Sequence, residues 1–150
     1  MSNIKLNKIF KTVCIASDHA GYKLKEDIKN YLIDKKMSVF DIGPYNDNSV
    51  DYPDYAKKLG NRIKLKKSDV GILVCGSGTG MAISANKIKS IRAAVCYNLR
   101  STRLSRLHNN ANIIALGSRL TKKKLSFKLV ETFLITKFEG GRHLRRIKKI

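Results

Sequence analysis

A chain of 150 residues, 43% of them hydrophobic, suits one domain with a sizeable core and excludes a disordered tail. Its formal net charge of +20 invites a nucleic-acid reading, but the basic residues are spread along the chain and no basic run alternates with aromatics. No apolar stretch reaches the roughly 18 residues of a membrane span, and MSNIKLNKIFKTVCIA runs directly into SDHAG as a strand would, so no membrane anchor or cleaved signal is expected and the cytoplasm is the expected location.

TVCIAS, residues 12–17, reads as a first strand. Residues 21–36 place Leu24, Ile28, Tyr31 and Leu32 at helical spacing. SVFDI (38–42) is a second strand, and residues 53–66 form a helix opened by Pro53. DVGILVC (69–75) is continuously apolar, as a strand buried on both faces must be. A helix is predicted over 80–89, a strand over 91–97, a helix over 99–107 and a strand over 112–116. The last long helix spans 121–138 with Thr121 as its cap, and the basic tail is helical after Gly141. Five strands alternating with helices, with no internal repeat or linker, predict a single α/β domain. It is a three-layer α/β/α, Rossmann-like arrangement around a five-stranded parallel sheet. Ligands of such sheets sit beyond the carboxyl ends of the strands. That rule gathers SDHAG, GPYNDNSVDYP, CGSGTG and GSRL around one crevice.

The three cysteines, Cys14, Cys75 and Cys96, are odd in number and have no CxxC spacing, so neither a disulfide framework nor a metal site is expected. Cys14 and Cys96 lie in apolar runs and read as small buried hydrophobes. Cys75 opens CGSGTG. The glycines let the backbone approach a ligand, and the free N–H groups of the loop and of the next helix suit an anion or a transient oxyanion. A helix N-terminus favours the thiolate, which acts as nucleophile or base. The plainer reading is that Cys75 only terminates a buried strand.

Three further clusters carry chemistry. Asp18 and His19 stand side by side at the end of the first strand, although Asp18 also suits a helix cap. His108 lies between a helix and the fifth strand, where a loop can bring it to the crevice, although a lone loop histidine is usually only solvated. Arg142 and Arg146 are spaced i, i+4 and share a face of a helical tail, which suits a phosphate dianion. By itself that tail reads as a solvated basic end.

Together, in order and at these spacings, SDHAGYKLK, VDYPDYA, GILVCGSGTGMAISANK, IRAAVCYN, SRLHNNANIIALGSR and FEGGRH resemble the ribose/galactose phosphate isomerase family, its ribose-5-phosphate isomerase B branch in particular. The likeness spans Val13 to Arg146 and leaves residues 1–10 as an N-terminal extension and 139–150 as a basic arm. It implies an isomerase of the pentose phosphate pathway that interconverts ribose 5-phosphate and ribulose 5-phosphate through an enediolate, with no metal or other cofactor. It implies Cys75 as the base between C2 and C1, Ser77 as the proton carrier between O1 and O2, and His108 as the ring-opening acid or base, with Asp18 on the sugar. Tyr52 would line the pocket, and Gly76, Gly78, Gly80 and Asn109 would form the anion hole. His19, Arg119, Arg142 and Arg146 would hold the phosphate. The family forms dimers or tetramers whose sites draw on two chains, so a homo-oligomer is expected. Thr79 departs from the pattern, in a place where an aliphatic residue is common. Related enzymes act on galactose 6-phosphate or allose 6-phosphate, which stand as alternatives. A nucleic-acid-binding protein is the alternative from another class, but it gives no reason for CGSGTG.

Overall fold

Alternating apolar residues give each central strand two greasy faces, and each face needs a layer of helices. The computed structural model, which describes residues 9–150, resolves that demand as β1 Thr12–Ser17, α1 Tyr22–Asp34, β2 Ser38–Gly43, α2 Tyr52–Lys64, β3 Val70–Cys75, α3 Thr79–Ala85, β4 Ala93–Val95, α4 Leu99–Leu107, β5 Ile113–Gly117, α5 Lys123–Ile135 and α6 Arg142–Ile147. The strands are all parallel, in the order β2-β1-β3-β5-β4. The expected extension over residues 1–10 lies mostly outside the described residues.

The two cores follow the strand alternation. Val13, Ile15, Val70, Ile72, Val74, Ile114 and Leu116 pack with Ile28 and Leu32 of α1 and with Leu129, Val130 and Phe133 of α5. On the other face Cys14, Ala16, Leu73, Cys75, Ile113 and Ala115 pack with Leu59 and Ile63 of α2 and with Met81, Ala82 and Ala85 of α3. Each fully buried aliphatic side chain is worth about 1.5–3 kcal/mol. The buried cysteines Cys14 and Cys96 belong to these layers. Burial pushes the Cys14 thiol up to about 11, and burial likewise raises that of Cys96, so both stay protonated and inert.

Three boundaries differ from the sequence expectation. Helix α3 stops at Ala85 because the Asn86 amide turns to the sheet, giving Nδ2–H to the Ala93 carbonyl at 2.9 Å and accepting the Ala93 N–H at 2.7 Å. That side chain pairs Ala93 as a neighbouring strand would, and β4 is only three residues long. Thr121 is not the cap of α5: Lys122 holds that position without a side-chain bond, while the Thr121 hydroxyl is buried with no partner among the described residues. Helix α4 does have a cap, since Asn98 Oδ1 accepts the Ser101 N–H at 2.8 Å.

The α1–β2 corner is tied by charge. Lys25, fully buried, donates to Asp41 at 2.8 and 2.9 Å and to Glu26 at 2.7 Å, and Lys29 reaches the same Asp41 at 2.9 Å. This pairing makes a buried ammonium tolerable.

Candidate active site

At the carboxyl edge of the sheet the backbone itself builds the site. The Cys75 thiol, 5% exposed, accepts the Gly78 N–H at 3.1 Å, so a loop amide already points at the sulfur. That turn needs φ +80° at Gly78, a left-handed geometry glycine adopts freely. Around it, Ser77 Oγ accepts the Thr79 N–H at 3.3 Å and the Tyr97 hydroxyl donates to the Ser77 carbonyl at 2.9 Å.

The neighbouring strand ends close in on this loop. Gly21 sits so near β3 that a Cβ there would lie 2.2 Å from the Val74 carbonyl oxygen. The close approach is held by two bonds of Asp18: its N–H donates to Val74 O at 3.2 Å, and its Oδ1 accepts the Gly21 N–H at 2.9 Å. Asp18 therefore does serve the turn into α1, and its second carboxylate oxygen is left for a ligand. The Ser118 and Arg119 N–H groups donate to the Cys75 and Gly76 carbonyls at 2.8 and 3.1 Å, and the Ser118 hydroxyl donates to Ala20 O at 2.8 Å. The Arg119 guanidinium lies against Gly76, 3.2 Å from where a Cβ would stand, and the Tyr52 ring lies across Gly80, 2.8 Å from such an atom. The Val50 N–H donates to His19 Nδ1 at 3.2 Å. The Val50 carbonyl lies 3.3 Å from the same nitrogen, so both contacts use Nδ1 and Nε2 stays open to an anion. Cys75, Ser77, Gly76, Gly78, Gly80, Asp18, His19, Tyr52 and Arg119 thus gather at the carboxyl edge of the sheet.

His108 and Asn109 do not join them within the chain. Helix α4 runs back against the strands, and its last turn delivers His108 to their amino ends. There Asn112 O accepts the Gly71 N–H, while Cys75 pairs with Gly117 at the far end of the same ladder. At about 3.3 Å per residue, strand length alone separates the two ends by roughly 13 Å. The expectation that the loop brings His108 to its own crevice is corrected by this topology.

His108 instead forms a second cluster with the tail. Its ring stacks on His143 at 4.2 Å and 11°. Glu139 Oε2 lies 3.6 Å from His108 Nε2 and 3.7 Å from His143 Nε2. With Asn109, Arg146, Ile147 and Ile150 the two histidines line a cleft of about 260 Å³. Arg142 opens α6 beside them and is exposed. Arg92 donates to the Asn109 and Asn110 carbonyls at 3.1 Å from Nε, and Arg106 to Asn110 Oδ1 and the Ala111 carbonyl at 2.9 and 2.6 Å from Nη1. These two arginines clamp the loop that carries His108. Sequence reasoning quoted the motifs that hold Tyr97, Ser118, Arg92, Arg106, Glu139 and His143 but gave none of these residues a role.

A crevice of backbone donors around a thiol at the carboxyl edge of a parallel sheet defines an α/β enzyme of anionic small molecules. Residues 13–150 match the model of the Ribose/Galactose Isomerase family, and the chain belongs to that family. It is 54% identical to a ribose 5-phosphate isomerase of Thermotoga maritima of known structure, with a TM-score of 0.91 over 92% of this chain and 95% of that one. A Mycoplasma genitalium ribose-5-phosphate isomerase B solved with bound ribulose-5-phosphate is 43% identical, with a TM-score of 0.87 over 92% of each chain. The ribose-5-phosphate isomerase B of Escherichia coli is 39% identical over 93% of this chain and 94% of its own. Among the described residues no helix is long and apolar enough to cross a membrane.

Proposed function

We propose that the protein is an aldose–ketose isomerase that interconverts D-ribose 5-phosphate and D-ribulose 5-phosphate in the cytoplasm. The observation that carries this reading is the Cys75 sulfur at the head of the glycine loop, with the Gly78 N–H on it at 3.1 Å. In the open-chain aldose the Cys75 thiolate takes the proton from C2. The electron pair moves into the C1–C2 bond, and the aldehyde oxygen becomes the oxyanion of an enediolate. Loop N–H groups receive that charge, each donor worth roughly 3 to 4 kcal/mol of barrier. Ser77 carries the hydroxyl proton from O2 to O1, and Cys75 returns its proton to C1. His19 and Arg119 face the phosphate, and Asp18 and Tyr52 the sugar. All of this chemistry uses groups of the chain.

The ring-opening acid or base and the remaining phosphate ligands come from a second copy. His108, Asn109, Arg142 and Arg146 stand at the wrong end of their own sheet, so a homodimer that seats one chain's tail cluster on its partner's crevice completes two sites. The α4–α5 face supports such packing, since Leu99 and Ile135 are exposed there in a groove that Leu107 also lines and that Arg100, Arg103 and Lys137 edge.

The test is turnover of ribose 5-phosphate in EDTA by the wild type, by Cys75→Ala, by His108→Asn and by a refolded equal mixture of the two variants. Each variant should lose activity, by roughly 100- to 10,000-fold for a lost acid or base. Half the mixed dimers are heterodimers with one intact site of two, so the mixture should regain about a quarter of wild-type activity. No recovery would sink the shared site. A fully active Cys75→Ala would sink the mechanism, and a wild type that turns over only galactose 6-phosphate or allose 6-phosphate would reassign the substrate.

A further inference from the structure

The tail cluster has a carboxylate that the reaction as written does not use. Glu139 follows α5 and is held by its own N–H, which donates to the Leu107 carbonyl at 3.1 Å, so its backbone is fixed to the last turn of α4. Its carboxylate stands between two stacked imidazoles, 3.6 and 3.7 Å from their Nε2 atoms. His108 Nδ1 has no partner among the described residues. His143 is 7% exposed, and burial first, then His108, Arg142 and Arg146, hold its pKa below the ordinary histidine value, against the pull of Glu139. Its ring lies under that of His108, and Glu139 is the carboxylate that faces both rings among the described residues. A metal reading of the three groups fails on ring geometry. Rings within 11° of parallel hold their nitrogen lone pairs side by side, whereas a shared cation needs them aimed at one point.

We propose that Glu139 is a positioning residue for ring opening: its carboxylate, 3.6 Å from Nε2, favours the Nε2–H tautomer of His108 and leaves Nδ1 for the sugar. This rests on the role given to His108 above. Nδ1 then takes the proton of the anomeric hydroxyl. The C1–O4 bond breaks as the C1 carbonyl forms, and the O4 alkoxide takes the same proton back from Nδ1. The net change is one proton moved from O1 to O4 within the substrate.

Ribulose 5-phosphate gives the separating measurement. With its O5 phosphorylated it has no hydroxyl placed to close a furanose ring on C2, so exchange of its C1 proton in D2O needs Cys75 but no ring opening. Glu139→Gln should lower net ribose 5-phosphate turnover by at least about tenfold, a part of the roughly 100- to 10,000-fold that general acid–base catalysis contributes. It should keep the C1 exchange rate, and the 15N spectrum of His108 should change from one tautomer to a mixture. Glu139→Asp should recover part of the turnover. Equal loss of turnover and exchange would overturn the proposal by making Glu139 merely structural, and unchanged turnover would overturn it outright. His108→Asn separates the two layers: if it keeps full turnover, the role of His108 fails, whereas if it loses turnover and Glu139→Gln does not, only the positioning role fails.

Discussion

The two ends of the sheet are built from different materials. At the carboxyl end, backbone amides of the Cys75 loop, a glycine packed on Val74 and a ladder of main-chain bonds from Ser118 and Arg119 make the site. At the amino end, side chains make it: stacked histidines, a carboxylate and two arginines gripping loop carbonyls. A backbone site is rigid and tolerates no added atom. A side-chain site can be dismantled one group at a time.

The largest contrast should come from Gly21→Ala. Its new Cβ would meet the Val74 carbonyl oxygen at 2.2 Å, a backbone atom that cannot swing away. A loss of about 3 kcal/mol, at the upper end of overpacking costs, should appear in urea unfolding together with loss of turnover. A stability within 0.5 kcal/mol of wild type, roughly the range of a bland surface change, would break the contrast. At the other end, Arg106→Met leaves three acceptors unpaired, Asn110 Oδ1 and the Ala111 and Thr136 carbonyls, and should cost about 2 kcal/mol. Because the proposed dimer seats this end on a partner's crevice, the carbamidomethylation rate of Cys75 should rise in that variant; an unchanged rate would show that the two ends do not meet across copies.

The charged corner between them answers to acid. Burial works against the Asp41 and Glu26 carboxylates, but hydrogen bonds from Lys25 and Lys29 outweigh it and hold both below their ordinary values. The stability they contribute is therefore complete above those ordinary values, 3.8 for Asp41 and 4.5 for Glu26, and drains away as pH falls through the depressed native ones. Asp41→Asn should be less stable at pH 7 and should lose less than the wild type on acidification, read from unfolding midpoints at the two pH values. The smallest effect is expected from Asn98→Ala, which removes the cap of the helix that ends at His108 and should cost about 1 kcal/mol.

The same division of materials decided what could be read from the sequence. Strand periodicity and the run VGILVC placed the central strands correctly, and the glycine spacing of CGSGTG marked the loop, because backbone geometry restricts residue type. The Asn86 hold on β4 and the empty cap at Thr121 were invisible, since each depends on where one side chain turns. His108 was visible as a residue but not as a place. Its loop leads into β5, and only the antiparallel course of α4 shows that it reaches the amino end of the sheet. The Arg92–Arg106 clamp was hidden for a related reason, as most of its partners are main-chain carbonyl oxygens, which every residue has.

Placing Cys75 and His108 at opposite ends of one sheet has a kinetic consequence. If each catalytic centre is completed by a neighbour, rate per chain is no longer a fixed property of the polypeptide. It should fall on dilution below the dissociation constant of the pair and return on concentration, so the gene product's output would scale more steeply than its abundance.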